Sequence, residues 1–406
     1  MESNKISELL KKYNKKVWVM YNNEGTDRYF NKYIYSSFET ATIGILTQNQ
    51  NYILISSLDK DNITEELLKK YKVYVYTCDK QIDDSIEEII ANLGFPNDIS
   101  LSYSTISDLN TDILTHGSYI NITKLLKKPY IKYSKKVSFS SAEKIMYELE
   151  SRKTDSQIKR LKYLANLTKN ILEDTFKSIK IGMSEKEIVT LTREIADKKL
   201  MDIIKKKEEN IIGYDMAWND CPIVLIGENL VKGGHSLPSD KKLKKGETIY
   251  FDFGIRAHYK DGEVLYTDMQ RMGYSMKDKE KQVPKSVMKV FTTLVNSIEE
   301  GIDNLKPGVK GYEVDKIVRD KIVKAGYPEY NHATGHPVGL RVHDIGAIIS
   351  VKASKRSSIE LVENGVYTLE PRVNIPNGGS IEEMIQVTKY GGLPLCDTQK
   401  ELYIVK

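Results

Sequence analysis

Cysteine is scarce in this chain: Cys78, Cys221 and Cys396 stand far apart and form no CxxC pair. An odd, dispersed set excludes a disulfide-framed scaffold and a cysteine-zinc knot. No run approaches the ~20 apolar residues that a membrane span requires, and the opening MESNKISELLKKYNKK has no apolar core of the kind a secretion signal carries. A strong charge of one sign is missing too, because Lys+Arg 61 against Asp+Glu 56 leave a formal +5 spread along the chain. So dilute a balance, with no stacking-aromatic module beside it, argues against nucleic acid. The expectation is a protein of the reducing cytoplasm, with neither membrane nor nucleic acid as partner.

What is present suits a soluble protein with sizeable cores: hydrophobic residues at 40%, charged residues at 29%, and 406 residues, past the size at which one core stops growing. Tyr 26 beside Phe 8 reads as compositional bias. From about residue 16 to 135, short β-type runs (KVWVMY, TIGILT, YILISSL, KVYVYT) alternate with helical ones (ITEELLKKY, SIEEIIANLG). That alternation predicts an α/β domain, and it carries no catalytic constellation. The pattern changes near residues 136–153, so we expect domains at 1–140 and 141–406.

Beyond Thr154 the pattern is helical, with Ile158, Leu161, Ala165, Leu172, Phe176 and Ile179 at helical spacing and Thr154 with Gln157 as a capping box. Gly182 stops that helix, and Ser184 with Glu187 caps the next. The unit then recurs. SIKIGMSEKEI parallels DNLKPGVKGYEV, GGHSL around His235 parallels TGHPV around His336, and LKKGETIYFDFG with Asp252 parallels VENGVYTLEP with Glu370. Chance likeness between amphipathic helices competes with this reading, but the order of features matches in both halves. A duplicated, pseudo-twofold α+β domain would turn two carboxylate-bearing hairpins toward each other.

Asp252 lies in an apolar strand and Asp268 on the return strand after Asp261-Gly262, a hairpin signal. Aspartate is disfavoured in strands; a solvated edge would explain either one alone. A two-residue turn at 261–262 sets Asp252 opposite Arg271 and sends the two aspartates to opposite faces. If they share a site, the hairpin must hold a bulge or an odd-length loop. Glu370 ends a second apolar strand, and Glu382 and Glu383 begin its return strand. Adjacent residues face opposite ways, so at most one can join Glu370; Glu383 is expected at the surface.

The stretch HATGHPVGLRVHD places three of the six histidines, His332, His336 and His343, within thirteen positions. The glutamate of an HExxH helix is missing, and Gly335, Pro337 and Gly339 disfavour a helix, so an extended segment is expected. Asp252, Asp268, His336, Glu370 and Glu382 together make four carboxylates and one imidazole. Crowding them without a cation costs several kcal/mol or forces protonation. Two divalent ions in an oxygen-rich site would remove that cost, with Mn²⁺, Co²⁺ or Zn²⁺ the suitable ions.

These motifs resemble the pita-bread metallopeptidases: aminopeptidase P, prolidase, methionine aminopeptidase and their creatinase relatives. GMSEKE, HSLPSDKKLKKGETIYFDFG, TDMQR, HATGHPVGLRVHD, TLEP and SIEE carry the resemblance over about Thr154 to Val387. The α/β region before them looks like the creatinase/prolidase-like N-terminal domain of the aminopeptidase P and prolidase branch. The resemblance implies a pita-bread catalytic domain that holds two divalent ions, Mn²⁺ first, through Asp252, Asp268, His336, Glu370 and Glu382. Asp268 and Glu382 would bridge the ions and Glu370 would serve as general base. His235 and His343 would bind the substrate carbonyl, with His332 a hydrogen-bonding helper. The implied activity is an exopeptidase that attacks the bond before proline with a metal hydroxide, as an Xaa-Pro aminopeptidase or dipeptidase, and the implied assembly is a homodimer. A non-catalytic binding protein with the same shell, and a creatinase-like amidinohydrolase, are the alternatives. Departures are visible: the 16 residues from Asp252 to Asp268 suggest an enlarged tip around residues 257–263, Ser380 stands where relatives often have arginine, and Pro337 and Arg372 replace residues that are commonly glycine.

Overall fold

A computed structural model describes residues 2–34, 38–233 and 236–406. The chain divides into two compact units, Met1–Leu149 and Glu150–Lys406. Among the described residues no helix is long and apolar enough to cross a membrane.

The first unit is a six-stranded sheet in the order Tyr71–Tyr76, Asn51–Ser56, Thr42–Thr47, Val17–Asn22, Asp98–Leu101, Ser138–Ser141. Its middle three strands pair antiparallel and its outer strands parallel. Val17, Val19, Ile43, Ile45 and Leu54 close a core with Ile86, Ile89 and Ile90 of helix Asp79–Asn92 and Ile122 and Leu126 of helix His116–Lys132. The four strands read from β-branched and aromatic runs are present. Asp98–Leu101 and Ser138–Ser141 are further strands without a sequence signal, because DISL and SFSS are too short and polar to show a period.

The second unit is built twice. Helices Asp155–Ser178 and Glu185–Lys206 lie with strands Ile223–Ile226, Thr248–Phe253 and Met269–Ser275. Helices Lys285–Asn304 and Gly311–Lys324 lie with strands Val366–Leu369, Glu383–Thr388 and Gly391–Pro394. Both expected capping boxes form, at Thr154 with Gln157 and at Ser184 with Glu187. Equivalent backbone bonds recur in each half. Gly182 N donates to Leu243 O at 2.9 Å and Leu243 N to Met183 O at 2.8 Å; Gly308 N donates to Leu361 O at 2.9 Å and Leu361 N to Val309 O at 2.8 Å. Asp252 follows Leu243 by nine residues, and Glu370 follows Leu361 by nine. Each helix pair covers its own apolar core, one around Leu161, Leu172, Ile188 and Phe251, the other around Leu294, Ile298, Val318 and Ile385. The two carboxylates therefore leave equivalent places on the two inner strands.

Candidate metal centre

The first hairpin settles its own parity. Strand Thr248–Phe253 runs on through Gly254 into Ile255–Tyr259 and returns as Val264–Tyr266 and Met269–Ser275. Asp252 stands opposite Gln270, not Arg271, and His258 opposite Val264. The odd-length loop that a shared site requires is present, in place of a two-residue turn at 261–262. Tyr259 N donates to Glu263 O at 2.8 Å and Gly262 N to Tyr259 O at 2.9 Å, around a three-residue loop, Lys260 to Gly262. Gly262, at φ +84°, takes the left-handed position such loops need. The odd length puts Asp252 and Asp268 on one face and Arg271 on the other. At Gly254 the strands approach so closely that a Cβ would stand 2.1 Å from Thr267 O. The hairpin tip is held to helix Asp155–Ser178, where the Arg160 guanidinium bonds Asp261 and Glu263 at 2.7 Å each and lies 4.2 Å from the Tyr259 ring centroid.

The second hairpin pairs Leu369 with Glu383. Glu370 N donates to Thr334 O at 2.7 Å, and Glu382 N donates to Gln270 O at 3.1 Å, which ties the two hairpins together. Glu382 and Glu383 face opposite ways, as adjacent strand residues must. Glu383 is not at the surface, contrary to expectation. It is 1% exposed, accepts from Arg271 Nη2 at 3.0 Å and from Gln399 N at 2.8 Å. Arg271 explains the burial: excluded from the aspartates' face, it meets Glu383 behind the sheet and also donates to Glu382 O at 2.8 Å.

His336 lies in an extended, non-helical segment, as its glycines and proline require. A Cβ on Gly335 would stand 2.0 Å from Thr368 O, so the segment runs tight against the second hairpin. His336 N donates to Thr368 Oγ1 at 3.1 Å, and Thr368 N donates to His336 O at 2.8 Å. His336 Nδ1 is 3.1 Å from Pro337 O, an acceptor only, so Nδ1 carries a proton and Nε2 faces the acids. Nε2 stands 3.5 Å from Asp268 Oδ2, 3.8 Å from Glu370 Oε1 and 3.8 Å from Glu382 Oε1. One ligand atom from each of Asp268, His336 and Glu382 lies within 4.8 Å of the others. Tyr250 donates to Asp252 Oδ2 at 3.3 Å and Gln270 Nε2 to Glu370 Oε2 at 2.9 Å. The His343 ring packs edge-on at 4.4 Å from that of His336, while His332 lies against Tyr330 at 4.9 Å with Nδ1 2.7 Å from Ala333 O. His235 falls outside the described residues.

The donor set fits divalent cations. Among the described residues, Asp252 Oδ1, Asp268 Oδ1 and both Glu382 carboxylate oxygens are buried without a hydrogen-bond partner. Acceptors aimed at acceptors need a positive charge among them. Two carboxylates ~4 Å apart repel by about 4 kcal/mol at an effective dielectric of ~20, so four cannot all ionise alone. Burial pushes Asp252 up to about 7, and burial with the charge of Asp252 pushes Glu370 up to about 8. Burial and the neighbouring acids hold Asp268 and Glu382 well above the carboxylate range. Tyr250, Gln270 and Arg372 were not singled out from the sequence as parts of this site. For the first two a signal existed, since each sits two residues from an aspartate and so on its face.

Residues 159–389 match metallopeptidase family M24. The Xaa-Pro dipeptidase of Pyrococcus horikoshii is 30% identical over 264 residues, which cover 60% of this chain and 71% of that protein. Two solved structures share the fold. Dipeptidase PepE from Mycobacterium ulcerans has TM-score 0.72 at 19% identity, with 100% of this chain and 97% of that chain covered. Xaa-Pro dipeptidase from Bacillus anthracis has TM-score 0.67 at 22% identity, with 100% and 99% covered. With more than half its length matched, the chain belongs to metallopeptidase family M24, joins an α/β N-terminal domain to a pita-bread domain, and is a peptide-hydrolysing enzyme.

Proposed function

We propose that the chain is a two-metal exopeptidase that cuts the bond before a proline in the second position of a dipeptide or longer peptide. Asp252, Asp268, His336, Glu370 and Glu382 would hold two divalent cations. The oxygen-rich donor set favours Mn²⁺, with Co²⁺ or Zn²⁺ as substitutes. One observation carries the reading: four buried carboxylates converge on the His336 imidazole, and Asp252, Asp268 and Glu382 keep buried oxygens that no hydrogen bond among the described residues satisfies.

When bound, divalent ions polarise the scissile carbonyl and acidify water to a nucleophile. The chain's own residues divide the remaining work. Glu370 holds and delivers the proton, and Gln270 fixes one of its oxygens at 2.9 Å. We assign His235 and His343, the latter with its ring against that of His336, to the substrate carbonyl and its oxyanion, and His332 to a hydrogen-bonding helper's role. The bond specificity is supported by the name of the Pyrococcus horikoshii relative. Resemblance to the family also supports a homodimer.

Paired assays of an Xaa-Pro dipeptide and an Xaa-Pro-Yaa tripeptide, each in Mn²⁺ and then in Zn²⁺, test the proposal. Cleavage of at least one, with release of the first residue, is expected. Turnover confined to peptides without proline would sink the specificity; full turnover in protein stripped of metal would sink the mechanism.

A further inference from the structure

The loop that carries His343 turns on one buried carboxylate. Asp344 Oδ2 accepts from Leu340 N at 2.8 Å, and Oδ1 accepts from Ile345 N at 2.8 Å and Arg341 Nη1 at 3.0 Å. Lys153 Nζ stands 3.0 Å from Asp344 Oδ2, and both side chains of this ion pair are 0% exposed. The same ammonium donates to Glu150 O at 2.8 Å and Ser151 O at 3.4 Å, so each of its three protons has an acceptor. Its stem passes close to the loop's first residue, since a Cβ on Gly339 would stand 2.9 Å from Lys153 Cε. Arg341 closes the network on Glu150 Oε2 at 2.9 Å. Lys153 is fixed in turn by its backbone, whose N–H donates to Asn364 O at 2.9 Å.

Burying two charges costs several kcal/mol per ion, and their attraction does little more than offset it. What the pair supplies is geometry, because a fully bonded buried network permits one arrangement. That arrangement includes the backbone on both sides of His343, whose exposed ring lies edge-on 4.4 Å from that of His336. We infer that Lys153 is a positioning residue for His343: through Asp344 it fixes residues 339–345 and so keeps the exposed imidazole beside His336, facing substrate. This rests on the role proposed above for His343.

The experiment is a double-mutant cycle on the Mn²⁺-loaded full chain, with Lys153→Met, His343→Ala and the two combined. Lys153→Met keeps the apolar stem and removes the ammonium. By mass spectrometry, the amides of residues 339–345 should exchange with solvent about tenfold faster in Lys153→Met, while helix Asp155–Ser178 keeps native protection. On an Xaa-Pro dipeptide its kcat should fall about 10–100-fold with KM nearly unchanged. In the His343→Ala background the same substitution should cost no further activity, because the two residues act as one unit. Losses that multiply in the double variant, or native exchange in residues 339–345, would reduce Lys153 to a structural anchor and overturn the inference. So would a native kcat in His343→Ala. If Lys153→Met does not fold, Asp344→Asn, which keeps the shape of the carboxylate, takes its place in the cycle and is judged by the same two readings. Failure of the native chain to cleave any Xaa-Pro peptide would overturn the proposed function instead. The exchange measurement, which needs no turnover, would then decide whether Lys153 holds the loop.

Discussion

At the scale of single residues, the centre is governed by what each buried oxygen can bond. Glu370 has Gln270 and Asp252 has Tyr250, but among the described residues neither carboxylate oxygen of Glu382 lies in a well-formed hydrogen bond. Glu382→Gln should therefore abolish binding of at least one of two divalent ions, read as stoichiometry by calorimetry; two ions bound at native affinity would refute its role. Gln270→Leu leaves the ligands in place but frees a Glu370 oxygen, and should cost about 10–100-fold in metal affinity or activity. Acidity follows from the same burial. Asp252 rises to about 7 and Glu370 to about 8, whereas an unfolded chain would ionise them near ~4. Their folded values are raised, so in metal-free protein their contribution is complete below pH ~4 and is lost as pH rises through about 7 to 8. Thermal melts in EDTA from pH 5 to 9 should show a falling midpoint; a rising one would contradict the assignment. These residues were legible as candidates, since aspartate in an apolar strand and histidine beside glycine each demand a reason.

At the scale of elements, parity decides which residues can meet. The three-residue tip with Gly262 in the left-handed region aligns Asp252 with Asp268. Deleting Asp261 would restore a two-residue turn and send one aspartate behind the sheet. We expect that variant to lose metal binding while keeping its helical signal by circular dichroism; retained binding at native affinity would count against the parity argument. Behind the sheet, Arg271 and Glu383 form a pair whose side chains are 0% and 2% exposed. Glu383→Gln leaves a buried guanidinium unpaired and should destabilise the unit by about 3–5 kcal/mol, read by urea denaturation, whereas Arg271→Leu/Glu383→Leu should cost much less. The sequence showed that Glu382 and Glu383 part company. It did not show that Glu383 would be buried, because that depends on a partner more than a hundred residues away.

Across the whole molecule, duplication is the organising fact of the second unit. Each half needs its own helix pair, core and carboxylate-bearing hairpin, and the site exists only where the halves face each other. The first unit has a separate core of its own. Saturating Mn²⁺ should therefore raise the melting of Glu150–Lys406 and leave the Met1–Leu149 transition unmoved, as calorimetry with site-placed fluorophores would resolve. Equal shifts in both would argue for metal held elsewhere.

The sequence by itself determined the helix caps, the repeated order of motifs, the glycine-tight course of the His336 segment and the list of acids, because these depend on neighbours a few positions apart. Tertiary structure alone decided the hairpin's odd loop, the burial of Glu383 with Arg271 and the burial of Lys153 with Asp344. Parity turns on one residue in a turn, and a buried charge finds its partner through packing between segments that sequence spacing does not record.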